Sequence, residues 1–88
     1  MRNDIYSAIG NAIRAKLIIC LSNSPKNVTE LIDNCGLSQS AVSQHLNKLK
    51  KAKLIKSEKS GKQVYYSVLN NKTSDACELM VSIEREIK

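Results

Sequence analysis

The chain changes its periodicity near its middle. Through VTELIDNCGLSQSAVSQHLNKL, residues 28–49, apolar side chains recur every three or four positions, the spacing of a buried helical stripe. Beyond Leu54 the apolar residues alternate instead, as Val64, Tyr66 and Val68 do in KQVYYSV, which is the spacing of a strand with one face covered. The helical part also carries a hinge. Val28, Leu31, Ile32 and Cys35 make one apolar face, and Gly36 then supplies the left-handed residue that ends many helices. Ser38 is an N-cap for the helix that follows. The spacing therefore predicts close-coupled helices over 28–35 and 39–52, then a β-hairpin of LIKSEK and KQVYYSV turning at Ser60-Gly61.

The flanks extend this plan. Residues 4–22 are helical in pattern, with Ile5, Ile9, Ile13, Leu17 and Leu21 at steps of four, and Gly10-Asn11 is placed to split them into a short and a longer helix. Ser22 to Pro25 is a turn, because Pro25 cannot continue a helix and pushes Ser24 to extended backbone. Asn70-Asn71 closes the hairpin, and a last helix is expected over 74–87 with Thr73 or Ser74 as its cap. Residues 1–88 thus read as one domain, mainly α with a small β-hairpin, in the order of a winged helix-turn-helix. In the last helix Ala76, Met80, Ile83 and Ile87 form a stripe too apolar to leave open on a small monomer. A core without Trp or Phe also favours pairing of two copies.

The helix over 39–52 has an unusual exposed face. With Val42, Leu46 and Leu49 turned inward, it shows Gln39, Ser40, Ser43, Gln44, Asn47, Lys48 and Lys51. Ser and Asn are mediocre helix formers, so water alone gives little reason for them. They donate and accept hydrogen bonds, and Gln and Asn pair bidentately with adenine in a major groove. The helix N-terminus with Ser38 and Ser40 suits a phosphate oxygen. Lys48, Lys50, Lys51 and Lys53 supply backbone contacts at the other end. Lys56, Lys59 and Lys62 on the hairpin add a second basic contact, or else merely deter edge pairing. A net charge of +6 agrees with a polyanionic partner.

These pieces resemble the ArsR-type winged-helix repressors. LSQSAVSQHL matches that family's recognition helix, L-x-x-A-x-L-I its link into the wing, and GKQVYY its second wing strand. The upstream GNAIRAKLIICL matches the pattern G-(N/D)-x-x-R. The resemblance implies a homodimer joined through the first and last helices, here Ile5, Ile9, Ala76, Leu79, Met80, Ile83 and Ile87. It further implies two recognition helices in successive major grooves of an inverted repeat, and repression relieved by a signal. Neither metal site of the family carries over. Pro25 to Leu31 lacks the cysteine pair, the last helix has no His, and no cofactor is implied. A subgroup senses oxidants through two cysteines. Cys20 matches the first position, but Cys77 falls about two turns early for the second. Those thiols are therefore either a switch or small buried hydrophobes. His45, the single histidine, is a packed or phosphate-contacting residue rather than a ligand.

Other classes fare worse. No Ser-His-Asp spacing, phosphate-binding Gly loop or metal pair points to an enzyme. The longest apolar run, Leu17 to Leu21, is too short for a bilayer. With no signal peptide and three widely spaced cysteines, the expected place is the reducing cytoplasm. A winged helix can also be a protein-interaction adaptor. The polar face flanked by lysines favours sequence-specific double-stranded DNA. Neither operator nor inducer is legible.

Overall fold

A computed structural model describes residues 5–87, with the side chain of Cys35 outside the description. Residue 4, where the first helical pattern began, and residues 1–3 and 88 also lie outside the described residues. The elements are α1 (Ile5–Ile9), α2 (Ala12–Asn23), α3 (Val28–Cys35), α4 (Gln39–Lys51), β1 (Ile55–Ser60), β2 (Gln63–Val68) and α5 (Asn71–Ile87). This is the expected order of four helices, hairpin and helix.

The split between α1 and α2 comes from Gly10 and Asn11. A Cβ at position 10 would lie 2.8 Å from the Tyr6 carbonyl oxygen, so only glycine lets the chain turn so close to α1. The Asn11 Oδ1 accepts from the Ile13 and Arg14 amides at 2.9 and 3.1 Å and starts α2. Helix α3 opens with a capping box: Asn27 accepts from the Glu30 amide at 2.8 Å, and Glu30 accepts from the Asn27 amide at 3.0 Å. It ends at Gly36, with φ 68°, as its sequence predicts. Ser38 caps α4 by accepting from the Ala41 amide at 3.2 Å.

Leu17, Ile18 and Leu21 of α2, Leu31 of α3, Val42, Leu46 and Leu49 of α4, Ile55 of β1 and Cys77 of α5 make one buried cluster. Helix α2 is central to it: α5 covers one side, and α3 and α4 stand on others. The wing is a two-stranded antiparallel sheet in which Ile55 faces Val68 and Ser60 faces Gln63.

Two expectations change. The hairpin tip is Gly61-Lys62 rather than Ser60-Gly61, because Ser60 is still paired with Gln63. Gly61 alone takes positive φ there, 62°, which is what a two-residue turn with glycine first requires. The last helix begins at Asn71, not 74. Asn70 reaches forward to accept from the Lys72 amide at 2.8 Å, and so takes the capping role assigned to Thr73 or Ser74. Ser74 is instead buried inside the helix. The structure also shows a tie to which the sequence pointed nowhere: Lys26 pairs with Tyr66 through two backbone hydrogen bonds of 3.0 and 2.8 Å, joining the α2–α3 connection to the wing. Its ammonium donates to the Cys20 carbonyl at 2.8 Å, satisfying an end of α2.

Candidate nucleic-acid interface

Helix α4 presents the face its sequence predicts. Val42, Leu46 and Leu49 are buried, whereas Ser38, Gln39, Ser40, Ser43, Gln44, Asn47, Lys48, Lys50 and Lys51 are exposed. The burial of one stripe against α2 and α3 aims the opposite stripe outward, so packing selects which side chains can meet a ligand. The Ser38 and Ser40 hydroxyls lie 3.4 Å apart at the helix start. Beside them the first amides of α4 leave donors free for an anion. Lys59 and Lys62 are exposed on the wing, Lys59 opposite Val64 and Lys62 at the tip. Lys56 spends part of its charge on Glu58 at 3.5 Å, an exposed pair that adds little to stability.

The distribution of charge is sharper than the total. Lys48 to Lys62 holds seven lysines against Glu58, a net +6, while the seven basic and seven acidic residues elsewhere cancel. The whole net charge therefore sits on the last turn of α4, its link to β1 and the wing. Residues 36–47 ahead of it carry no Asp, Glu, Lys or Arg. A neutral hydrogen-bonding stripe flanked by cations can read base edges with the first part and hold phosphates with the second.

One residue behind this face was given no role by the sequence. Arg14 is 7% exposed and donates from Nε to the Ala8 carbonyl at 2.7 Å and from a terminal nitrogen to the Ser7 carbonyl at 2.9 Å. Its other terminal nitrogen stands 3.2 Å from His45 Nδ1. A guanidinium can only donate, so Nδ1 accepts and the imidazole proton belongs on Nε2. Burial, then the charges of Arg14 and Lys48, lowers the His45 pKa below its ordinary value of 6.5. His45 is thus a packed residue that connects α4 to α2. Arg14 stands three, four and seven positions before Leu17, Ile18 and Leu21. A charge in register with a buried stripe was the signal that could have found it.

The remaining expected residues divide. On α5, Leu79, Ile83 and Ile87 are exposed at steps of four, and Ile5 and Tyr6 are exposed on α1. Ile9 and Met80, by contrast, pack against the chain's own core, and Ala76 is half-buried. Cys20 is half-buried, and Cys77 is fully buried with its thiol pKa pushed up by burial. No group of three or more His, Cys, Asp or Glu able to hold a metal occurs among the described residues. No described helix is long and apolar enough to cross a membrane.

A recognition helix carried on a helix-turn-helix, with an antiparallel wing beside it, defines the winged-helix class of DNA-binding proteins. Residues 11–57 match the family described as bacterial regulatory protein, arsR family, and the chain belongs to it. The chain is 32% identical over 82 residues to the transcriptional repressor PagR of Bacillus anthracis, covering 92% of this chain and 82% of that protein. It is 26% identical over 80 residues to the transcriptional repressor SdpR of Bacillus subtilis, covering 91% and 89%. The crystal structure of PagR superposes with a TM-score of 0.77 at 32% identity, covering 88% of each chain. That of the transcriptional regulator HlyU from Vibrio vulnificus gives 0.76 at 32%, covering 88% of this chain and 80% of that one. The chain is accordingly a DNA-binding transcriptional regulator and not an enzyme.

Proposed function

We propose that residues 1–88 act as one unit, a homodimeric repressor that binds an inverted-repeat operator in double-stranded DNA. The observation that carries this is the neutral polar stripe of α4 beside a segment that holds the whole net charge of +6. Gln39, Gln44 and Asn47 read base edges, with Ser40 and Ser43 letting the helix approach closely. Ser38, Lys48, Lys51, Lys59 and Lys62 meet phosphate or the adjoining minor groove. The chain's arginines are Arg2, Arg14 and Arg85, none of them on α4 or the wing, so no arginine fork to guanine belongs to this set. Adenine is the base that Gln and Asn match best.

The dimer rests on Leu79, Ile83 and Ile87 of α5 with Ile5 and Tyr6 of α1. Tyr6 and Ile87 are 88% and 80% exposed in a single copy, a wasteful arrangement unless a second copy covers them. Two-fold symmetry then demands an inverted repeat, with half-sites about 34–36 Å apart. Repression follows from occupying a promoter in the cytoplasm. The full burial of Cys77 favours packing over a thiol switch, since an inert buried thiol is a poor nucleophile.

Fluorescence anisotropy with the duplex upstream of the protein's own gene, against a scrambled duplex at two salt concentrations, tests this. With about three lysines per subunit on phosphate, the log–log salt slope is about −5. Gln44→Ala should cost about 1–3 kcal/mol on the specific duplex and relax preference at one base position per half-site. Equal loss on both duplexes removes Gln44 from base reading. Absence of binding to either favours the adaptor alternative.

A further inference from the structure

Three described residues take the left-handed backbone, Gly36, Gly61 and Lys53, with φ of 68°, 62° and 62°. Two are the residue that accepts this conformation without strain. The third is a lysine, whose Cβ crowds the following carbonyl there.

The backbone at Lys53 is set from both sides. Its amide bonds to the Lys50 carbonyl at 3.0 Å, and the Leu54 amide bonds to the Leu49 carbonyl at 3.1 Å. This is the crossed pair that closes a helix, with Lys53 in the place usually held by glycine. Leu49, Ala52, Leu54 and Ile55 around it are all buried, and the Leu54 carbonyl accepts from the Leu69 amide at 3.0 Å. The fold therefore needs a positive φ at position 53, and no hydrogen bond or ion pair of the described residues uses the side chain there. Lys53 is exposed, and its ammonium has no hydrogen-bond or ion-pair partner among the described residues. It sits where α4 gives way to the wing, inside the segment with all the net charge.

We infer that the ammonium of Lys53, held in a strained backbone position, binds a DNA phosphate at the junction of recognition helix and wing. This rests on the DNA reading above and deepens it: local stability is given up for a cation at this one point. A strained residue at a functional site is the expected form of such a trade.

The test compares Lys53→Gly and Lys53→Arg with the unaltered protein, by thermal melting and by anisotropy on specific and scrambled duplexes over a salt series. Lys53→Gly removes strain and charge together. Its Tm should rise by about 4–8 °C. Its affinity should fall on both duplexes by about 8-fold at 0.1 M salt for each phosphate left without its lysine, with the slope flatter by about 0.9 per phosphate. Lys53→Arg should keep both the affinity and the slope. A glycine variant that is stabilised yet binds with unchanged affinity and slope overturns the inference while the DNA reading stands. A lowered Tm overturns it too, because the side chain would then be packing. If the unaltered protein binds neither duplex, the DNA reading fails and the inference falls with it.

Discussion

Replacing Arg14 by Met keeps an unbranched apolar stem and removes the guanidinium. Two of the hydrogen bonds removed are short and charge-assisted, at 2.7 Å to Ala8 and 2.9 Å to Ser7. Hydrogen bonds to a charged group contribute about 1.5–3 kcal/mol each, so the gross loss is about 3–6 kcal/mol. Opposing this, a buried cation is no longer desolvated, and that returns part of the loss. The carbonyls left behind belong to the last turn of α1, where a helix favours a cation and lacks partners of its own. A net destabilisation of about 2–4 kcal/mol follows, a large share of the roughly 4–13 kcal/mol expected for a chain of this length. Urea unfolding at fixed protein concentration measures it, with the transition midpoint as the readout. A second readout is independent of stability. The single histidine gives one imidazole titration by NMR, and removing the Arg14 charge should move the His45 pKa up toward 6.5. A Met variant within about 0.5 kcal/mol of the parent, with His45 titrating unchanged, would refute the bridge from α1 through Arg14 to the recognition helix.

Acidification should weaken the fold through the same contact. The folded His45 pKa lies below 6.5, so between those values the unfolded chain binds more protons, and stability falls as pH drops from 6.5 through the folded value. His45→Gln, whose amide oxygen can still accept from Arg14, should lessen this loss in urea melts between pH 7 and pH 5.5, and an identical pH profile would exclude His45 as its source. Gly10→Ala places a Cβ 2.8 Å from the Tyr6 carbonyl oxygen and should cost about 1–3 kcal/mol, whereas a neutral effect in thermal melts would show that α1 yields freely. Alkylation followed by peptide mapping should label half-buried Cys20 well before buried Cys77 in the native protein; equal rates would mean that α5 opens readily from the core.

What the sequence made legible depended on whether one physical requirement had one residue to meet it. Gly36 and Ser38 mark the hinge because a positive φ and an exposed helix start each favour a narrow set of residues, and both occupy the predicted places. The start of α5 was missed because Asn70, Asn71, Thr73 and Ser74 can all cap, so local chemistry is degenerate and the packing of Ser74 against the core decides. Tertiary contacts also sorted the apolar residues of α1 and α5. Periodicity grouped Met80 with Ile83 and Ile87, but α5 leans on α2 so that Met80 turns inward and Leu79 outward.

The lysines divide in the same way, and composition alone could not divide them. Lys26 holds the end of α2 with its ammonium and a strand of the wing with its backbone, so its charge is spent inside the fold. Arg14 is likewise committed to the carbonyls of α1. The cations between Lys48 and Lys62 are all exposed, and only Lys56 has an anionic partner among the described residues. The structure therefore uses basic residues near the helix-turn-helix as internal struts and leaves the wing side open. The surface that can attract a polyanion is smaller than the count of 14 basic residues suggests, and it is placed directly beside the neutral side chains of α4. In the proposed complex, phosphate contacts made from there would set the register in which Gln39, Gln44 and Asn47 meet the bases, tying affinity to specificity through the short link from α4 to β1.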